Sequence, residues 1–199
     1  MIAVITGDLI GSQEHKPDEW LPALKETMGL FGKEPEDWEV YRGDSFQIIL
    51  TPEMTIKAAL MIKAAMRQLP GLGVRMAIGL GDEAYHSGKI TESNGPAFVK
   101  SGECFEALKK TTMAISSDDA ISDELFNYML ELALLTMDNW HPATAGVVSA
   151  ALKYPGLTQK ELAAKLGKSQ SSVSEALSRA GYDEITRLQD FFISFYLKK

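Results

Sequence analysis

The chain has 199 residues, of which 45% are hydrophobic and 24% charged, with a formal net charge of −7. This is the profile of a globular chain with room for one large or two small cores, and it excludes a low-complexity or disordered polymer. No run approaches the roughly 20 apolar residues that a membrane-spanning helix needs, so no membrane partner is expected. The start, MIAVITGDLIGS, has no basic segment and meets Asp8 before an apolar stretch develops. The expectation is therefore a chain that begins at Met1 without a secretory signal. The single cysteine, Cys104, has no partner for a disulfide or a metal site, which fits a reducing, cytoplasmic setting.

In chain order, Ile2–Thr6 is a short apolar, β-branched run closed by Gly7, which reads as a buried strand with Asp8 at its end. Trp20, Leu21, Leu24, Met28 and Phe31 recur at helical spacing behind Pro17, a residue suited to a first turn. Trp38–Tyr41 and Phe46–Leu50 read as strands joined by the turn Arg42-Gly43-Asp44-Ser45, which places Asp44 at a hairpin tip. Residues 53–69 read as a helix stopped by Pro70 and Gly71, and Gly73–Leu80 as a strand. A polar loop over 82–94, a helix over 95–110, a strand at Thr111–Ser116 and a helix over 121–137 follow. Helices interleaved with single strands and one hairpin predict an α+β layer architecture with a mainly antiparallel sheet.

A second domain is expected from His141-Pro142 onward, giving units of 1–138 and 142–199. The charge changes sign there: residues 143–199 carry eight basic and five acidic side chains, whereas the rest of the chain carries twelve and twenty-two. That asymmetry is expected where one end meets phosphate. After a helix at Ala143–Lys153, Thr158 and Glu161 form a capping box that starts a helix ending at Gly167. Ser169 caps the next, Gln170–Arg179. Leu162, Ala163, Leu166, Val173 and Leu177 are spaced to pack the two across a short glycine turn, the arrangement of a helix-turn-helix.

In that reading the second helix enters the major groove of double-stranded DNA. The contact set is Thr158, Gln159, Lys168, Ser169, Gln170, Ser171, Ser172, Ser174 and Arg179, with Gln170 suited to adenine and Lys168 to a phosphate. The alternative is a pair of capped helices with a merely solvated outer face. TQKELAAKLGKSQSSVSEALSRA resembles the helix-turn-helix of bacterial regulators. The resemblance implies a small all-α domain of the winged helix-turn-helix class, and half-site recognition of that kind implies a homodimer. Phe191, Phe192, Phe195 and Tyr196 mark an apolar C-terminal helix, either core or dimer surface.

Asp8 and Asp44 are the candidate chemistry of the first half. If their strands are neighbours, both carboxylates lie at one edge of the sheet and would hold Mg²⁺ with a nucleotide's phosphates. Alternatively Asp8 caps the following segment and Asp44 shapes its turn. Glu92, Ser93 and Asn94 either rim that pocket or form an ordinary loop. His15, His86 and His141 lack ligand spacing, and no nucleophile elbow is present, so no catalytic residue is assigned.

VITGDLIGS, YRGDSFQ, VRMAIGLG and NGPAF, in that order, resemble the SatD family. More distantly they resemble the palm domains of class III nucleotidyl cyclases and GGDEF proteins. The resemblance implies a ferredoxin-like βαββαβ core in which Asp8 and Asp44 occupy the metal-binding positions, with Arg75 and Gly79 in the matching strand. The positions of the cyclases' catalytic Asn and Arg hold Val99 and Glu103, which removes cationic stabilisation of phosphoryl chemistry. The expected protein is thus a DNA-binding transcriptional regulator with a palm-like domain sensing a nucleotide or small ligand. Its competitors are a metal-dependent nucleotide-converting enzyme and a protein-interaction module that has lost DNA binding.

Overall fold

The computed structural model describes residues 1–196. It is a mixed α+β structure with one five-stranded sheet and, among the described residues, eight α-helices. The strands are β1 (Ile2–Ile10), β2 (Trp38–Tyr41), β3 (Ser45–Leu50), β4 (Gly73–Gly81) and β5 (Met113–Ser116), in the order β2-β3-β1-β4-β5. Strand β1 is central and antiparallel to both neighbours, and only the β4–β5 pair is parallel. Helices α1 (Pro17–Met28), α2 (Pro52–Met66), α3 (Pro96–Ala107) and α4 (Ala120–Met137) fall between or after the strands in the expected sequence.

The period of two in each strand divides the faces. Ala3, Ile5 and Leu9 of β1, Phe46, Ile48 and Leu50 of β3, and Val74, Met76, Ile78 and Leu80 of β4 enter one large core with α1 and α2. The opposite face packs under α3, where Val4, Ile90, Ala97 and Phe98 form a smaller apolar cluster. That face also carries polar side chains: Gln47 Nε2 donates to Thr6 Oγ1 at 3.2 Å, and Thr6 Oγ1 meets Ser101 Oγ at 3.0 Å.

One boundary differs in a way that matters for Asp8. Gly7 does not close the first strand: β1 continues to Ile10, and Asp8 lies inside it, paired with Ser45 on one side and Arg75 on the other. The glycine is a close approach, since a Cβ there would sit 2.5 Å from the Phe46 ring and 2.8 Å from the Arg75 carbonyl oxygen. Local sequence reads a glycine as punctuation, whereas here it lets a core ring cross the strand. The helix expected to reach Phe31 ends at Met28 with a turn beyond.

The last part of the chain is helical throughout the described residues: α5 (Pro142–Lys153), α6 (Gln159–Leu166), α7 (Gln170–Ala180) and α8 (Tyr182–Tyr196). The wing expected of a winged domain is absent among the described residues. Gly181 ends α7 in the left-handed region, and Tyr182-Asp183-Glu184 at once begins α8 with acidic side chains in its first turn. That suits a helix N-terminus and leaves no room for a hairpin. The buried core runs from the sheet through α2 into α5 and on to α7 and α8. The Phe126 and Phe192 rings meet at 5.1 Å between centroids, and Trp140 Nε1 donates to the Ala180 carbonyl at 3.1 Å. Of the C-terminal aromatics, Phe192 is core and Phe191 and Phe195 stack at its margin, while the Tyr196 side chain lies outside the described residues.

One buried charge ties these layers together. Lys63 of α2 is 1% exposed, and its Nζ lies 2.5 Å from Asp138 just past the end of α4. It also donates to Thr112 Oγ1 at 3.0 Å. Burial lowers the Lys63 pKa below its ordinary value, and Asp138 opposes that shift.

Candidate functional site

Helices α6 and α7 are joined by Gly167-Lys168-Ser169. At the start of α6, the Thr158 N–H donates to Glu161 Oε2 at 2.8 Å and the Glu161 N–H donates to Thr158 Oγ1 at 3.3 Å, a closed capping box. Gly167 takes a φ of 63°, the left-handed turn that ends α6, and a residue without Cβ adopts it at least cost. Ser169 then caps α7, its Oγ accepting from the Ser172 N–H at 3.2 Å.

Val173, Ala176, Leu177 and Ala180 bury one side of α7, and Leu162 and Ala163 bury the matching side of α6. The other side is solvent-facing: Thr158, Gln159, Lys168, Ser169, Gln170, Ser171, Ser172, Ser174 and Arg179 are all exposed. Lys168, Ser169, Gln170, Ser171, Ser172 and Ser174 cluster at the turn and the first part of α7, while Thr158 and Gln159 begin α6. The side chains of Gln159, Lys168, Gln170 and Ser174 make no hydrogen bond or ion pair among the described residues. Arg179 stands apart: it lies at the far end of α7, within 3.5 Å of Glu175, on the rim of a groove facing α4 and α8. Lys165, which the sequence did not single out, packs its ammonium over the Tyr154 ring at 4.2 Å.

The sheet brings Asp8 and Asp44 together, because Asp8 pairs with Ser45 and Asp44 immediately precedes it. The hairpin turn that carries Asp44 has Arg42 at φ 50° and Gly43 at φ 90°. Both carboxylates, however, are already engaged. Arg75, beside Asp8 on β4, donates from Nε to Oδ1 at 3.0 Å and from a terminal nitrogen to Oδ2 at 2.5 Å. The Asp8 hydrogen bonds raise the Arg75 pKa, and its guanidinium lies 5.2 Å from the Phe105 ring. Ser12 donates to Asp44. In the sequence Arg75 stands out only through family resemblance and Ser12 not at all, since the pairing depends on strand register.

A divalent ion fits this arrangement poorly. Asp8 holds a guanidinium on both oxygens, and no group of three or more His, Cys, Asp or Glu side chains is placed to hold a metal among the described residues. An ion of the Mg²⁺ kind requires several oxygen ligands in tight geometry, and both Asp8 oxygens already accept from the Arg75 guanidinium. Val99 and Glu103 are exposed on α3, on the helix that covers this face.

The remaining candidates separate from the site. Glu92, Ser93 and Asn94 follow the far end of β4, near the start of β1, at the opposite end of the sheet from Asp8. They do not rim a pocket with it. Ser93 and Asn94 instead satisfy the Ser87 and Gly95 N–H groups at 2.9 and 2.8 Å. His15 contacts Glu19 and the Pro70 carbonyl, His86 pairs with Glu83, and His141 caps α5. Burial pushes the Cys104 thiol up to about 11, which leaves it a poor nucleophile at neutral pH. No helix among the described residues is long and apolar enough to cross a membrane.

No family model matches the chain, and no curated protein matches it. Among solved structures, it is similar to a Regulator of Polyketide Synthase Expression from Bifidobacterium adolescentis, at 15% identity and a TM-score of 0.28. That match covers 99% of this chain and 79% of the other.

Proposed function

We propose that the chain is a DNA-binding transcriptional regulator. In this reading α6 and α7 are a helix-turn-helix, with α7 set in the major groove of double-stranded DNA. Residues 142–199 act as the reading unit. Residues 1–138, a ferredoxin-like palm in strand order, sense a nucleotide or another small ligand.

The observation that carries this reading is the two-sided character of α7. One side is packed, while the other begins at a capped N-terminus and presents Lys168, Gln170 and Ser174 with no partner of their own. Gln170 has the donor and acceptor pair that adenine's major-groove edge requires, and Lys168 at the turn suits a phosphate. The short serines let the helix approach closely. Support for a sensing role comes from continuity, since α5 packs on both α2 and α7. A shift in the helix layer of the sheet would thereby reach the DNA-facing helix. The nucleotide-converting reading has no observation in its favour, because the carboxylates it needs are bound to Arg75 and Ser12.

The test is selection of genomic DNA fragments by the purified chain, followed by sequencing, with Gln170→Ala and Lys168→Ala in parallel. One enriched motif is expected. Gln170→Ala should relax preference at a single position, at a cost of about 1–3 kcal/mol. Lys168→Ala should weaken all sequences alike and reduce the slope of affinity against salt by about one. Absence of enrichment at low salt would refute the reading.

A further inference from the structure

Helix α4 is apolar on two sides. Phe126, Leu130, Leu134 and Met137 are buried in the core. Ile121, Leu125, Tyr128, Leu132 and Leu135 form a second stripe, and these side chains are between 45% and 82% exposed. Their spacing alternates four and three residues, the seam along which two helices pack knobs into holes. A solvated helix ordinarily carries one apolar stripe, turned to its own core, so the second stripe is surplus to this chain's folding.

The stripe borders a groove of about 830 Å³ between α4, the end of α7 and α8. Leu132 belongs to both stripe and groove, and Leu188 and Phe191 line the groove's far wall. Charge is distributed unequally around them. Glu124 and Glu131 follow one flank of the stripe, exposed. Arg179 and Arg187 stand at the groove, in exposed pairs with Glu175 and Glu184 at 3.5 and 3.2 Å, and Arg187 Nε also donates to the Asp183 carbonyl at 3.3 Å. Exposed pairs of that kind are exchanged at little cost.

We propose that a second copy of this chain docks here about a two-fold axis, the α4 stripe of each copy seated in the α4–α8 groove of the other. A two-fold interface needs a patch complementary to itself. This one places an apolar ridge beside an apolar groove, and an acidic flank where the partner's basic rim arrives. The exposed stripe amounts to on the order of 600 Å² of apolar surface, the upper end of what monomers expose. With the groove added, it approaches the about 800 Å² per partner of a stable interface. The interface stands on the geometry of α4 and α8. It deepens the proposed function by supplying the pairing that two half-sites require, and its test is separable from DNA binding.

The experiment is sedimentation of the full chain without DNA. A dimer of twice the 21.8 kDa chain mass is expected at about 10 µM, a concentration at which a micromolar or tighter interface is filled. Leu132→Glu/Leu135→Glu, at exposed positions, should give a monomer that keeps the wild-type circular dichroism and whose thermal transition, unlike that of the wild type, does not depend on concentration. Glu124→Arg/Glu131→Arg, which removes no packing, should weaken association by about tenfold or more. A monomeric wild type, whose stripe then serves some other partner, overturns the proposal. So does a dimer indifferent to both variants. Dimerisation without DNA selection would leave the interface standing and remove the regulator reading; DNA selection by a monomer would do the reverse.

Discussion

The charged groups at the end of the sheet and the polar groups on the outer face of α7 differ in what they are bonded to. Asp8, Arg75, Asp44 and Ser12 satisfy one another through β1, β3 and β4, so a ligand there must first displace an existing partner. Lys168, Gln170 and Ser174 are exposed and have no protein partner for their side chains among the described residues, so a ligand there would displace solvent only. Residues that resemble a family's metal site are here closed upon themselves, whereas residues expected from the sequence to contact DNA are open. Openness is a better guide to binding than the chemical interest of a residue type, because unmaking a charged pair costs more than releasing water.

The Lys63–Asp138 pair is the extreme of a closed site, and breaking it should give the largest effect. Asp138→Ala leaves a 1% exposed ammonium without its counter-charge, a loss of about 3–5 kcal/mol in urea unfolding. Lys63→Met, which removes the charge and keeps the volume, should be far milder. The pH dependence has a definite sign. Burial holds the folded pKa of Lys63 below its ordinary 10.5, and removing Asp138 takes away an opposing influence. The unfolded chain then binds more protons, so the variant's stability rises with pH until about 10.5. Equal losses for the two substitutions, or a loss that deepens as pH rises, would contradict this account.

Arg75→Ala should be intermediate. Asp8 and Arg75 keep side-chain exposures of 21% and 34%, so the pair is partly solvated and its loss should cost about 1–2 kcal/mol, short of a fully buried pair. DNA selection should be unchanged in the absence of ligand. If Arg75→Ala instead abolished selection without loss of stability, the sheet end would be part of the reading surface and would not be closed to a ligand.

The elements were legible in the sequence because they rest on local causes. The strand and helix order follows from periodicity, the start of α6 from the Thr158–Glu161 box, and its end from Gly167, each settled within a few residues. What was not legible depends on register and on tertiary contact. The partnership of Asp8 with Arg75 requires knowing that β1 and β4 are neighbours in a particular alignment, across 67 positions of sequence. Gly7 read as a strand end because its reason, the Phe46 ring, comes from another strand. The loop of Glu92–Asn94 fell at the wrong end of the sheet for the same reason. The second stripe of α4 was hidden by its own abundance of apolar residues, since a helix apolar all round reads as core until one side is found exposed.

The smallest effect is the most discriminating. Ser169 belongs to the open region, yet its hydroxyl does structural service, accepting from the Ser172 N–H as the cap of α7. Ser169→Ala should therefore cost only about 1 kcal/mol of stability. If the N-terminus of α7 also faces DNA, the substitution weakens binding as well. The two roles part in Ser169→Asp. A carboxylate caps a helix as well as serine does and suits the positive end of its dipole, so stability returns, while a negative charge beside the phosphate backbone keeps affinity low, most of all at low salt. Stability restored with affinity still lost would mark the face as one that meets phosphate. Recovery of both would mean that the capped end of α7 points at solvent and nothing else, and that its polar side chains are solvated for no further purpose.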